Sequence, residues 1–236
     1  MEQIMELGSL KNTSFDYEKL RHSLRNSGYA ILNYCLSKEI CQDIMAFIDA
    51  YPVSSAEVNY GGTEKRIWQS EHIHSGICSF GNFADEVMKN VFSVEVKLKT
   101  VLSYSNFPIN DAESFTNGRW HLDSLRNQYK LFCFLTETKD TTGPLEIIPG
   151  SHKFIFKLRA LMKGKYLSHS DLGRPVRKYQ RLDDAWVQQE ISNLGGSLPF
   201  LCEAGTLVLV NTSAIHRARP CSEESRYALC AYYDHF

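Results

Sequence analysis

Apolar residues before residue 96 recur mainly three or four positions apart, which is helical spacing. The stripes that predict helices are Tyr17, Leu20 and Leu24; Ile40, Ile44, Phe47 and Ile48; and Phe83, Val87 and Val91. Ser37 is a favourable N-cap for the second helix, and Gly28 and Pro52 end the first and the second. A short strand over 29–32 lies between them. This region is therefore predicted as helices joined by short extended links.

From residue 97 onward, glycine and proline punctuate runs with strand character. The five predicted strands are 97–104, 131–136, 145–148, 206–211 and 227–233. A long insert over 153–203 separates the third from the fourth, and it contains two predicted helices, 154–163 and 184–194, each stopped by glycine. The sequence predicts one domain over 1–236, with N-terminal helices (1–95), a mainly β barrel or jelly-roll core (96–236) and a lid-like insert.

Composition and charge exclude several classes of protein. The chain has 236 residues with 43% hydrophobic and 12% aromatic content, which excludes a disordered chain. A net charge of −1 argues against a dedicated nucleic-acid binder. Neither a membrane-spanning apolar run nor a signal peptide is visible, so a cytoplasmic location is expected. The 7 cysteines are expected as small buried residues rather than disulfides or zinc ligands.

His121 and Asp123 are the first candidate site residues. Positions i and i+2 of an extended strand point to the same side, so both side chains can reach one point. His216 follows the buried run 206–211, where a barrel mouth could bring it to the other two. Two histidines and one carboxylate on one face are typical of non-haem Fe(II), because they leave three positions for co-substrate and dioxygen. Taken alone, each histidine is better explained as a hydrogen-bonded structural residue.

Arg226 is the candidate anchor for the co-substrate. It opens the strand 227–233, ten residues after His216, and a strand crossing back beside this histidine would aim it into the barrel. A guanidinium binds a carboxylate through two parallel hydrogen bonds, which suits the far carboxylate of 2-oxoglutarate. A surface ion pair is the alternative role.

In these motifs the chain resembles the phytanoyl-CoA dioxygenase family of Fe(II)/2-oxoglutarate oxygenases. The matching segments are 28–32, 120–123, 143–153 (Gly-Pro-Leu-Glu-Ile-Ile-Pro-Gly-Ser-His-Lys), 205–216 and Arg226. The resemblance implies a double-stranded β-helix, the cupin-like jelly roll, with His121, Asp123 and His216 as iron ligands and Arg226 as the 2-oxoglutarate anchor. It also implies an oxidation, most simply a hydroxylation, of a C–H bond in a small molecule by O₂, with release of succinate and CO₂.

The chain departs from the family pattern at one position. Some members carry Ser or Thr two residues after the distal histidine, where this chain has Ala218. Lys130 and Tyr104 are therefore candidates for a further contact with 2-oxoglutarate, although Lys130 could equally extend into solvent. The presence of Asp123 disfavours a halogenase, because the related halogenases lack this carboxylate.

Other chemistry-bearing residues leave alternatives open. His72 and His74 form an HxH that could be a cupin-type metal site, but they precede the predicted barrel and are expected in a loop or a substrate pocket. Trp120, Phe132 and Phe134 could line the pocket, with core packing favoured for the two phenylalanines. A cupin-like metal-dependent protein that is not an oxygenase, or a ligand-binding protein, is the alternative function.

The insert is strongly basic at its start. Nine Lys and Arg residues lie between 153 and 181, against the single acid Asp171. A basic lid would favour an anionic substrate, whereas a solvated helix face explains the same charges without function. The sequence does not indicate whether the protein is a monomer or an oligomer.

Overall fold

The computed structural model describes residues 15–93, 96–109, 118–167 and 181–233. The α-helices in these ranges are α1 (Tyr17–Ser27), α2 (Lys38–Ala50), α3 (Ser75–Phe92), α4 (Phe154–Met162) and α5 (Asp184–Asn193). The strands are β1 (Tyr29–Cys35), β2 (Glu57–Asn59), β3 (Glu64–Ile67), β4 (Leu98–Asn106), β5 (Tyr129–Phe134), β6 (Leu145–Ile147), β7 (Leu198–Pro199), β8 (Thr206–Asn211), β9 (His216–Ala218) and β10 (Arg226–Tyr233).

The helices begin and end close to the predicted positions. Asp16 caps α1 by accepting a hydrogen bond from the Lys19 amide, and Ser37 caps α2 by accepting one from Ile40. Gly28 ends α1 with a left-handed φ of 85°. The two helices predicted in the insert, α4 and α5, are confirmed to within a residue.

The strands form two antiparallel sheets. The larger has the order β1-β8-β5-β10-β4-β3-β2, and the smaller has the order β7-β6-β9. The mainly antiparallel, jelly-roll fold predicted from the sequence is confirmed. Short β2 and β3, which the sequence did not predict, extend the large sheet beyond β4.

Successive side chains of the large sheet point to opposite faces and so form two separate buried clusters. Leu229, Ala231 and Tyr233 of β10 pack with the layer of α1, α2 and α3. Ala228 and Cys230 point the other way, towards the smaller sheet, and belong to a second cluster inside the barrel. A third cluster joins α4 and α5 to the segments 120–122 and 148. The barrel interior is therefore enclosed by both sheets and by the insert helices.

A buried carboxylate fixes the small sheet. Glu146 of β6 is 1% exposed and accepts hydrogen bonds from Ser197, Arg217 and Arg219 at 2.6–2.9 Å. Burial alone would raise the pKa of this carboxyl, but the three donors outweigh it and hold the pKa at about 2. Glu146 therefore stays ionised and ties β6 to β9.

One glycine is required where β1 leaves the large sheet. Gly205 has a φ of 85°, and its carbonyl accepts a hydrogen bond from the Leu36 amide. A Cβ at this position would lie 2.3 Å from the Leu36 carbonyl oxygen.

Of the six cysteines whose side chains are described, Cys41, Cys133, Cys221 and Cys230 are buried as expected, whereas Cys78 is exposed and Cys202 is half-buried.

Candidate metal centre

The three predicted ligands converge in the structure. The backbones of His121 and His216 exchange hydrogen bonds of 3.0 and 2.8 Å, and their ring centroids lie 4.4 Å apart. The Asp123 amide donates to the Thr212 carbonyl at 2.9 Å, which holds the carboxylate on the same side. One donor atom from each of the three lies within 4.8 Å of the other two. Among the described His, Cys, Asp and Glu side chains, these three lie close enough together to hold a metal ion.

Both imidazoles are held with one nitrogen available. Nδ1 of His121 lies 2.9 Å from the Arg119 carbonyl oxygen, and Nδ1 of His216 lies 2.9 Å from the Ala214 carbonyl oxygen. A carbonyl accepts only, so each Nδ1 carries the proton and each Nε2 keeps a lone pair. Burial lowers the pKa of both imidazoles, so the neutral, metal-binding form is favoured.

Asp123 is ionised and paired with Lys130. The Lys130 Nζ lies 2.7 Å from Asp123 Oδ2, and the same oxygen lies 3.8 Å from Nε2 of His216. Burial would raise the pKa of the carboxyl, but the Lys130 ammonium lowers it well below its usual range. Within the described residues, the buried Oδ2 has no hydrogen-bond partner beyond this ion pair with Lys130. A buried oxygen in this state fits a metal ligand.

Lys130 does not extend into solvent. Its residue surface is 8% exposed, and its Nζ lies 4.1 Å from the ring centroid of Tyr232. Burial would lower the pKa of Lys130, but the Asp123 carboxylate raises it above the usual value. The ammonium is therefore charged and directed at the metal ligand.

Arg226 is buried with most of its guanidinium unpaired. It is 2% exposed, and Nη2 donates to Asn106 Oδ1 at 2.9 Å. Nε and Nη1 are buried and have no hydrogen-bond partner among the described residues. A buried cation without a carboxylate is costly, so this arrangement fits a binding site for an anionic group rather than a surface ion pair.

The triad, Arg226, Lys130 and Tyr104 line one cavity of about 230 Å³. Burial raises the pKa of Tyr104 to about 12, so its phenol is neutral and can donate a hydrogen bond into the cavity. Cavity residues that the sequence analysis did not identify are Glu64, Arg66, Asn106, Arg181 and Tyr232. Period-two alternation could have found two of them, because Asn106 lies two positions after Tyr104 and Tyr232 six after Arg226.

The aromatic candidates divide between the cavity and the core. Phe132 and Phe134 both belong to the buried barrel cluster, as expected from core packing, and Phe132 also lines the cavity. Trp120 is 1% exposed, packs with the insert helices and stacks under Arg217, whose guanidinium carbon lies 4.3 Å from its ring.

The rival HxH pair does not form a metal site. His74 is the residue before α3, and its Nε2 lies 3.3 Å from Asp43 Oδ2. His72 lies in a short turn and has an exposed side chain. Neither lines the cavity of the triad, so their expected loop position is confirmed and a substrate-pocket role is not supported.

The donor set and its surroundings define a class of protein. Two neutral imidazoles and a carboxylate on one side of a jelly roll form a facial set suited to iron(II), and an unpaired buried guanidinium in the same cavity suits 2-oxoglutarate. The fold and site are those of the cupin-like Fe/2-oxoglutarate-dependent oxygenases, and the cofactors predicted from the sequence agree with this class. The chain belongs to the phytanoyl-CoA dioxygenase (PhyH) family, whose sequence profile matches residues 24–228.

Several solved structures share the fold of this chain. The epimerase SnoN from nogalamycin biosynthesis, in complex with Fe³⁺, alpha ketoglutarate and nogalamycin RO, has a TM-score of 0.65 at 13% identity, over 92% of this chain and 82% of that chain. The carbocyclase SnoK from the same biosynthesis has a TM-score of 0.64 at 17% identity, over 95% and 85%. EctD from S. alaskensis, with 2-oxoglutarate and 5-hydroxyectoine, has a TM-score of 0.64 at 15% identity, over 92% and 75%. None of the curated protein sequences matches the chain.

Two further expectations concern the chain outside the cavity. In the part of the chain that the structure describes, no helix is long and apolar enough to cross a membrane. The basic stretch 153–181 is described only in part, since residues 168–180, with Arg174, Arg177 and Lys178, lie outside the described residues. Of the described cations in this stretch, Arg181 reaches the metal cavity.

Proposed function

We propose that this protein is an iron(II)- and 2-oxoglutarate-dependent dioxygenase that hydroxylates a C–H bond of a small molecule. One observation carries the proposal: the triad and an unpaired buried guanidinium line the same cavity. When bound, iron(II) and 2-oxoglutarate supply O₂ activation, with release of succinate and CO₂. The solved structures with this fold include an epimerase and a carbocyclase, so the choice of hydroxylation is a separate step of this proposal.

The triad residues act as metal ligands through fixed atoms. His121 and His216 bind through Nε2, because their Nδ1 protons are committed to backbone carbonyls. Asp123 binds through Oδ2, the buried oxygen that faces His216. Lys130 neutralises and orients this carboxylate, and its ammonium lines the same cavity, where it would also be available to a carboxylate of 2-oxoglutarate.

Arg226 and Tyr104 bind 2-oxoglutarate away from the metal. The Nε and Nη1 groups of Arg226, which have no partner among the described residues, leave charge-assisted N–H donors for one carboxylate. Tyr104 lies on β4 opposite Ala228 of β10, two positions from Arg226, and offers a neutral hydroxyl donor. This hydroxyl takes the place of the Ser or Thr that Ala218 replaces.

The substrate carries a negative charge in this proposal. Four cationic side chains line the cavity, Arg66, Lys130, Arg181 and Arg226, against the carboxylates of Glu64 and Asp123. The charges of iron(II) and 2-oxoglutarate cancel, so the positive excess remains for the substrate. Arg66 is the residue with which to test this, since it is partly exposed even though it pairs with Glu64 at 2.9 Å and Glu57 at 3.4 Å. Arg66→Gln should raise the Michaelis constant for an anionic substrate several-fold, whereas the Michaelis constant for the co-substrate should stay unchanged.

Anaerobic addition of iron(II) and 2-oxoglutarate tests the central proposal. A weak visible charge-transfer band should form in the wild type and in Arg25→Met, a control at an exposed arginine outside the cavity. The band should be lost in His216→Ala and should require far more 2-oxoglutarate in Arg226→Met. Succinate release under air, stimulated by one member of a metabolite library, would then identify the substrate. Metal binding without a 2-oxoglutarate band would refute the oxygenase and favour the cupin-like alternative.

A further inference from the structure

A lysine next to the metal-ligand segments is buried without an ion pair to any described carboxylate. Lys157 of α4 is 7% exposed, and its Nζ donates to the Leu125 carbonyl at 2.8 Å and to Ser213 Oγ at 2.9 Å. Both acceptors are neutral, and no ion pair with Lys157 occurs within the described residues. Burial lowers the pKa of this amine to about 8, with no charged neighbour opposing the shift. The group stays mostly protonated at neutral pH, so its charge is left uncompensated.

Lys157 lies where two cavities meet. The first, of about 500 Å³, is lined by Arg126, Lys153 and His152 in addition to Lys157, and no acidic side chain of the described chain lines it. The first turn of α4, which begins beside this cavity, contains no acidic residue and its N-cap has no side-chain hydrogen bond. The charged side chains of the described chain that line this cavity are therefore all cationic.

The second cavity is apolar. It has a volume of about 180 Å³ and is lined by Leu158, Leu161 and Tyr166 besides the residues it shares with the first. The shared residues are Leu125, Phe154 and Lys157, so the two cavities form one continuous cleft, here named the α4 cleft. Phe154 at its edge is 75% exposed and Leu161 is 49% exposed, so apolar surface is present to receive a ligand.

The α4 cleft is separate from the metal cavity. The two share no lining residue. They are nevertheless adjacent along the chain, because Leu125 follows Asp123 by two residues and Ser213 precedes His216 by three. Lys157 therefore bridges the outer sides of the segments that carry the metal ligands.

We propose that the α4 cleft is a binding site for an amphipathic anion, with the charged head at Lys157 and an unbranched apolar tail along Leu158 and Leu161. The third N–H of the ammonium is free to bind the head, and Lys153 and Arg126 add attraction at the cleft mouth. The tail covers apolar side chains that otherwise face water. Carboxylate and phosphate heads share the required chemistry. This inference does not rest on the proposed catalytic function.

Calorimetric titration of the full chain with decanoate, decyl phosphate and decanol tests the site. Decanoate or decyl phosphate should bind, and the tighter of the two identifies the head group. Decanol, which has the same tail without charge, should bind at least tenfold more weakly. Lys157→Met, which keeps the side-chain length, should weaken binding of the anions at least tenfold. Lys163→Met removes an exposed lysine beyond the end of the same helix and should leave binding unchanged.

Two further variants keep the test decisive. Leu161→Glu places a carboxylate on an already exposed position of the apolar part and should weaken decanoate binding without disturbing the core. His121→Ala should bind decanoate as the wild type does, so failure of the metal-site proposal leaves this result intact. Equal affinity in Lys157→Met, absence of anion binding at millimolar concentration, or competition by 2-oxoglutarate would each overturn the α4 cleft as the site.

Discussion

Replacing Arg226 with methionine is expected to stabilise the protein while weakening its binding of 2-oxoglutarate. In the structure the guanidinium is 2% exposed, and two of its nitrogens have no hydrogen-bond partner among the described residues. A buried charge without hydrogen-bond partners opposes folding. It is retained because the carboxylate of a bound ligand supplies the missing partner. Methionine has a similar length and no polar group, so it removes the charge without opening a large void.

The magnitudes follow from the contacts. Two charge-assisted hydrogen bonds contribute about 1.5–3 kcal/mol each, so their loss raises the dissociation constant for 2-oxoglutarate by about 100-fold or more. Removing the unpaired buried charge stabilises the ligand-free protein by about 2 kcal/mol. Loss of the donor to Asn106 Oδ1 offsets about 1 kcal/mol of this gain. A net gain of about 1 kcal/mol corresponds to a Tm increase of about 2–4 °C in a chain of this size.

The assay measures both quantities in the same samples. Thermal unfolding is followed without ligand, and the charge-transfer band is titrated with 2-oxoglutarate under anaerobic iron(II). Arg226→Lys is the matched control: it retains the charge, so it should not raise Tm, and it loses the two-pronged geometry, so its affinity should also fall. A 2-oxoglutarate affinity within threefold of the wild type in Arg226→Met would refute the anchoring role. A lower Tm in Arg226→Met would refute the account of an uncompensated charge.

Three further predictions concern the fold and the metal. Glu146→Gln should lower the free energy of unfolding by about 3 kcal/mol at pH 7, because a pKa held at about 2 favours the folded state by that amount relative to the unfolded carboxyl. The wild-type contribution is present above about pH 4.5 and is lost as the pH falls towards 2. In urea unfolding, the difference in free energy of unfolding between the two proteins should therefore be smaller at pH 3 than at pH 7. The same difference at both pH values would contradict this. Gly205→Ala should lower Tm by far more than Gly164→Ala, because a Cβ meets a backbone carbonyl at 2.3 Å at the first position and nothing within 4 Å at the second, although both have positive φ. Similar Tm losses would remove the steric argument. His216→Ala should reduce the affinity for Ni(II), measured by calorimetry, on the order of 100-fold, whereas His152→Ala, which removes a hydrogen bond to a backbone carbonyl instead, should leave it unchanged.

Local sequence patterns predicted most of the helices and strands correctly. The apolar stripes identified α1, α2 and α3, because each stripe faces one buried layer. The five predicted strands are present because they are long, apolar and bounded by turn residues. The short strands β2 (Glu57–Asn59) and β3 (Glu64–Ile67) were missed, since both are mostly polar. They form because β3 pairs with the edge of β4 and β2 pairs with β3.

The candidate site was predictable in its ligands and less so in its surroundings. The i, i+2 spacing of His121 and Asp123 by itself predicts that the two side chains point to the same side. The role of His216 was predicted mainly from the resemblance to the family. The pairing of Lys130 with Asp123 depends on how β5 folds back beside the loop after the first ligands, which no local pattern contains. Glu64 and Arg66 reach the cavity only because β3 is recruited to the sheet edge.

The backbone exchange between His121 and His216 has a consequence for assembly. The two imidazoles are ninety-five positions apart in the sequence, and their main chains must lie side by side before both can face one ion. His216 also pairs with Ile147 across the small sheet, and a displacement of one residue in that register would turn its ring outward. The complete set of three ligands therefore exists only once these long-range backbone contacts have formed, and metal binding reports their formation.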